Sequence, residues 1–230
     1  MAALCTYKDI EYSLKKSDRK TTSIYIERDG SVSVLAPKPF DMPRIENLIE
    51  KKRSWIYRNL AEWEDLNRTR VHREFVNGES FLYLGRRYSL SISENVDKPL
   101  QLKNGQFLLA KLALPNAPQH FRSFYKEKLI AKLNERVPMY SARLGKEPSQ
   151  IKVQELKNRW GSCTAGGVIN INWKCAMLPL NVLDYVIAHE VAHLKYPNHT
   201  PAFWRQVEKM MPGHEEQKKW LRFNGAGMSL

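Results

Sequence analysis

Residues 182–199 read Val182-Leu-Asp-Tyr-Val-Ile-Ala-His189-Glu190-Val-Ala-His193-Leu-Lys-Tyr-Pro-Asn-His199, and this stretch decides how the rest of the chain is read. Two histidines four apart on a helix project from one face with Cβ atoms about 5–6 Å apart, within reach of a single ion. Glu190 directly follows the first of them. Its carboxylate is thereby set beside such an ion rather than on it, where it can take a proton from water. The flanks are apolar nearly all round, which predicts a buried helix. Two buried imidazoles and a carboxylate without partners would be costly, and a shared cation offsets that cost. Zinc suits the donor set, because it takes neutral imidazole nitrogens and in hydrolytic sites keeps one position open beside three protein ligands.

The third ligand is expected beyond the helix. Pro197 should end the helix after Tyr196, and a turn at Tyr196-Pro-Asn198 brings His199 back toward the ion, completing H-E-x-x-H-x5-H. Metzincin proteases share this ligand spacing but carry glycine where this chain has Tyr196, so the sequence departs from that group. His214, after Pro212-Gly213, is the alternative third ligand, with an exposed turn residue as the competing reading. His72 and His120 lie in polar stretches and are expected to face solvent. At the start of the helix Asn181 is expected to cap, with Asp184 as a capping-box-like partner.

Working toward the N-terminus, residues 151–156 and 168–173 read as strands separated by Arg159-Trp-Gly-Ser-Cys-Thr-Ala-Gly-Gly167, whose glycines favour a tight turn. Phe121, Phe124, Tyr125, Leu129, Leu133, Val137, Tyr140 and Leu144 recur at three and four residues and predict a long amphipathic helix. Its outer face carries Arg122, Lys126, Lys128, Lys132 and Arg136, read as solvated or as a basic groove. The prolines of residues 114–119 suggest a boundary. Before it, residues 81–84 and 88–92 flank Gly85-Arg86, and residues 100–102 and 106–109 flank Asn104-Gly105, which predicts two hairpins. Asp41 caps a second amphipathic helix whose Ile45, Leu48, Ile49, Trp55, Ile56, Leu60 and Trp63 are expected to pack in a core. The first forty residues alternate as β structure, with Asp29-Gly30 as a hairpin turn.

The 230 residues carry a formal net charge of +13 and an ordinary globular composition. Such a charge favours an anionic partner without choosing among nucleic acid, nucleotide and acidic protein. Three cysteines, Cys5, Cys163 and Cys175, lack C-x-x-C spacing, which argues for a reducing compartment and against a thiolate metal site. With no long apolar run and no leader-like segment in residues 1–17, the expectation is a cytoplasmic protein with no membrane partner.

The motifs resemble those of the YgjP-like metallopeptidases, a zincin group similar to the SprT-like proteases. The resemblance rests on Arg159-Trp-Gly-Ser-Cys163, Asn170-Ile-Asn-Trp173, the stretch from Pro179 to Glu190, His193-Leu194, and Asn198-His-Thr-Pro-Ala-Phe-Trp204; Tyr83-Leu-Gly-Arg86 also looks like the family's N-terminal β region. It implies one Zn2+ held by His189, His193 and His199, with Glu190 as general base. In zincins a strand beside the active-site helix can pair with an extended peptide, and residues 168–173 are the candidate. The expected fold is α+β: residues 1–114 a hairpin-rich region with one long helix, residues 115–230 a zincin-like catalytic region whose H-E-x-x-H helix packs on a small sheet.

The expected activity is zinc-dependent hydrolysis of peptide bonds in a polypeptide substrate. Arg159 is the candidate substrate-binding residue, and Arg159, Tyr196 and His214 are candidate oxyanion donors. The alternative is a metal-dependent nucleoside triphosphate pyrophosphohydrolase, an activity described for some members of the resembled family, although no P-loop is present. A second alternative is a nucleic-acid-associated protease whose basic face docks non-specifically on DNA.

Overall fold

The computed structural model describes residues 3–27, 30–67, 73–156 and 159–230. The chain is mixed α+β and divides into two compact units, residues 1–70 and 71–230.

The first unit is a four-stranded sheet backed by one helix. Strands β1 (Ala3–Tyr7), β2 (Ile10–Ser17), β3 (Ser23–Ile26) and β4 (Val32–Pro37) lie in the order β1-β2-β4-β3, with β2 and β4 parallel and the outer pairs antiparallel. Helix α1 (Met42–Asn67) follows Asp41, whose carboxylate accepts the Arg44 N–H at 3.1 Å. Alternate residues Ile10, Tyr12, Leu14 and Val32, Val34, Ala36 face Ile45, Ile49 and Ile56 in one core. The expected apolar stripe is only partly buried. Ile45, Ile49 and Ile56, spaced four and seven apart, share one face, whereas Leu48 and Trp55 lie about 100° round the helix, and Trp55 is 41% exposed. Asp29 of the expected turn, the Trp63 side chain and His72 lie outside the described residues.

In the second unit, strands β5 (Ser80–Tyr83), β6 (Arg86–Ser93), β7 (Leu100–Lys103) and β8 (Gln106–Ala110) form a sheet in the order β5-β6-β8-β7. Both hairpins turn on two residues at positive φ, Leu84-Gly85 and Asn104-Gly105, the type I′ pattern. The first turn thus lies one residue earlier than expected. Helix α2 (Ala117–Leu144) ends on Gly145 in the left-handed conformation, and its Phe121, Phe124 and Tyr125 pack against Phe81 of β5 and Phe107 of β8. Sheet and helix therefore share one core, and the boundary expected between residues 114 and 115 falls inside this unit. The prolines there serve the helix start instead: Pro118 sits in the first turn of α2, where its missing N–H costs nothing.

A second, three-stranded sheet and three helices complete the unit. Strands β9 (Gln150–Gln154), β10 (Gly161–Cys163) and β11 (Val168–Asn172) lie in the order β10-β11-β9, and helices α3 (Leu180–Ala192), α4 (Pro201–Met210) and α5 (His214–Asn224) follow. The glycine-rich 159–167 segment is thus more than a turn, because its first half pairs antiparallel with β11. Asp184 does not cap α3. Its carboxylate receives the guanidinium of Arg136 from α2, which removes that cation from the solvated face expected for it. The hairpin turn of β5 and β6 clamps the start of α3: the Leu84 and Gly85 N–H groups donate to Ala176 and Met177 carbonyls at 2.9 and 3.1 Å. A Cβ on Gly85 would stand 2.9 Å from the Pro179 backbone. Among the described residues no helix is long and apolar enough to cross a membrane.

Candidate metal centre

Helix α3 is buried along nearly its whole length, from Val182 to Ala188 and again at Glu190 to Ala192. Such a helix has no solvent to satisfy polar side chains, so the positions of its His and Glu residues are informative. The helix ends at Ala192, earlier than the expected stop before Pro197, and His193 is its C-cap. The turn that follows is pinned by Lys146, which reaches from beyond the end of α2 to donate to the Leu194 carbonyl at 2.6 Å. The chain then reverses, and Thr200 caps α4 by accepting the Phe203 N–H, with Pro201 at the first helical position.

This path places His199 against the helix. The Nε2 atoms of His189 and His199 lie 3.0 Å apart, and one ring nitrogen from each of His189, His193 and His199 falls within 4.8 Å of the others. His193 Nδ1 is 2.9 Å from the Tyr196 carbonyl; as the donor there it leaves its Nε2 lone pair free to ligate. Burial pushes the His189 imidazole down to about 3, with further depression from His193 and His199, and it lowers His199 as well. Histidine ligates a metal ion through an unprotonated ring nitrogen, and one nitrogen from each of the three rings converges here.

Glu190 is almost fully buried, and that burial pushes its carboxyl up to about 8, with the charge of Arg159 pulling the other way. Its Oε2 makes no hydrogen bond within the chain, and neither does the buried His189 Nδ1. The carboxylate lies against β10: a Cβ on Gly161 would stand 2.6 Å from Glu190 Cγ and 2.7 Å from Oε1. Glycine is required there by close approach, not by a positive φ. Arg159 is exposed and close enough for its charge to favour the ionised Glu190. Cys163 beside it is a thiol whose pKa burial raises, a poor nucleophile.

Sequence reasoning missed Phe203, which packs against the imidazoles. Fully buried Phe203 is packed among all three, with ring centroids 5.0, 4.5 and 4.8 Å from His189, His193 and His199. Trp204 stacks on His199 at 5.6 Å and on His214 at 5.7 Å, and His214 stacks in turn on Tyr185, one turn before His189. His214 is therefore not among the converging donors. It is buried behind Trp204 with its Nδ1 donating to Glu208 at 2.7 Å, rather than exposed in a turn. A usable signal was present in Thr200-Pro201, a helix start that fixes where Phe203 and Trp204 point. The strand expected to receive a peptide, β11, is paired on both sides, and among the described residues β10, which lies over Glu190, is the outer strand of that sheet beside the helix.

A family model, the YgjP-like metallopeptidase domain, matches residues 20–224. The chain belongs to the YgjP-like metallopeptidase family. Its match begins after β2 in the first unit and includes every residue of the histidine site. No curated protein matches the chain in sequence. Among solved structures, the metallopeptidase zymogen of Pyrococcus abyssi, abylysin, is similar to 39% of this chain and 90% of its own, at 25% identity and a TM-score of 0.37. Membership of the YgjP-like family makes the chain a metallopeptidase in general terms and implies a metal ion, and the histidine triad is a group able to hold one.

Proposed function

We propose that this YgjP-like chain is a zinc-dependent peptidase in which His189, His193 and His199 hold the ion and Glu190 moves the proton. The observation that carries this reading is the convergence of three imidazole nitrogens beside a buried Glu190 whose Oε2 makes no hydrogen bond within the chain. When bound, zinc supplies a Lewis acid that polarises the scissile carbonyl and acidifies water. Glu190, whose proton affinity is raised into the neutral range by burial, accepts the proton of the attacking water and returns it to the leaving amine. Gly161 keeps β10 near enough to hold that carboxylate in one place, and the outer edge of β10 offers backbone groups to an extended substrate. Phe203 and Trp204 fix the imidazole planes, so little reorganisation is left for the moment of reaction. Arg159, at the mouth of the same strand, is assigned to substrate binding.

The test is a substrate comparison with purified, zinc-loaded protein: an unfolded polypeptide against a panel of nucleoside triphosphates, with Glu190→Gln as control. Cleavage of the polypeptide by wild type and not by Glu190→Gln is expected. Release of pyrophosphate from a nucleotide with no peptide cleavage would replace this reading with the pyrophosphohydrolase one.

A further inference from the structure

The first unit holds a cavity of about 590 Å³ between the β2–β3 connection and one face of α1. Its wall combines three cations, Arg44, Lys51 and Lys52, with two aromatic rings, Phe40 and Trp55, and no carboxylate is among the residues that line it. Arg44 Cζ lies over the Phe40 ring, 3.9 Å from its centroid, so cation and ring are adjacent in this wall. Trp55 is 41% exposed on a helix whose isoleucines are fully buried, so its ring is not part of the core. The hydroxyl of Thr22, another lining residue, is buried and makes no hydrogen bond within the chain.

We infer that this cavity binds single-stranded nucleic acid, taking one base on the Trp55 ring and adjacent phosphates on Lys51, Lys52 and Arg44. Arg44, Lys51, Lys52 and Trp55 stand at intervals of seven, one and three residues on α1, so cations and ring follow one another over about 16 Å of helix. A run of cations with a ring at its end suits a strand whose phosphates lie beside a stackable base. A duplex fits less well, because its bases are already stacked and cannot offer a face to Trp55. An acidic peptide would satisfy the lysines and leave both aromatic faces unused. The inference concerns residues 21–55 alone and stands whether or not the histidine triad hydrolyses peptides.

Fluorescence anisotropy of the full-length protein with a labelled oligothymidine strand, at low and rising salt, tests it. The strand should bind, and binding should weaken as salt rises. Lys51→Glu with Lys52→Glu should weaken binding at least about tenfold and flatten the logarithmic salt slope by about 1.4, the value for two lost single-strand phosphate contacts. Trp55→Ala should weaken it about 5- to 160-fold, while Trp55→Phe keeps most of it. All three side chains are exposed, so far-ultraviolet circular dichroism and the urea midpoint should stay as in wild type. Four results would overturn the proposal: no binding at low salt, binding untouched by these variants, equal affinity for the matched duplex, or displacement by polyglutamate at equal charge. Loss of binding on Lys126→Glu with Lys128→Glu instead would move the interface to α2 and overturn it as well.

Discussion

Helices α1 and α3 treat their exceptional residues in opposite ways. Helix α1 is amphipathic, and one residue on it that does not follow the pattern is an aromatic left at the surface, Trp55. Helix α3 is apolar nearly all round; its buried Asp184 is satisfied by Arg136, whereas half-buried His189 and buried Glu190 each carry a buried atom that makes no hydrogen bond within the chain. In each case the exception marks a group the fold itself does not satisfy. A buried polar atom without a partner is the more expensive exception, so α3 is where a bound ion changes the energetics most.

The largest expected effect lies in the buried helix. Glu190→Gln should lower peptide-cleavage kcat by about 10²- to 10⁴-fold, the usual contribution of a positioned general base, while leaving metal content intact. A variant that keeps full turnover would remove Glu190 from the chemistry. Next comes Phe203→Ala, which empties the space between three imidazoles and should cost about 3–5 kcal/mol of stability by urea unfolding. A loss below about 1 kcal/mol would mean the triad is held by something else. Asp184→Ala strands the guanidinium of Arg136 between α2 and α3 and should cost about 3 kcal/mol, measured in the same way.

The pH dependence of the metal-free protein separates the two polar exceptions on α3. Glu190 rises from 4.5 to about 8 on folding, so the folded state holds a proton the unfolded state releases, and stability falls as pH climbs through that window. His189 falls from 6.5 to about 3, so the unfolded state binds the extra proton, and stability is lost as pH drops from 6.5 toward 3. In the presence of chelator, Glu190→Gln should therefore show a smaller drop in urea midpoint between pH 6 and pH 8 than wild type. Parallel curves would contradict the buried, proton-holding carboxylate. The smallest effect belongs to the surface exception: Trp55→Ala should change stability by less than about 1 kcal/mol, and a larger loss would return Trp55 to the core of α1.

The triad was legible from the sequence because a helix fixes the relation of His189, Glu190 and His193, and because five residues with a proline leave His199 few places to go. The hairpins were legible to within a residue from their glycines. What stayed hidden depends on contacts across the chain. Nothing local to Asp184 indicates that its partner is Arg136, 48 residues away, rather than the end of its own helix. The strand β10 is three residues long and becomes one only by pairing with β11. Phe203, Trp204 and His214 look like ordinary core and turn residues until α4 and α5 stack them beside the imidazoles. The misplaced boundary at residue 114 has the same origin, since prolines mark a break in secondary structure but not in a core.

The most direct measurement of the central claim is zinc content by elemental analysis of purified wild type, Glu190→Gln and His199→Ala after removal of loosely bound metal. One zinc per chain is expected in wild type and in Glu190→Gln, with sharply lower occupancy in His199→Ala. Undiminished zinc in His199→Ala, or none in wild type, would contradict a centre built from His189, His193 and His199.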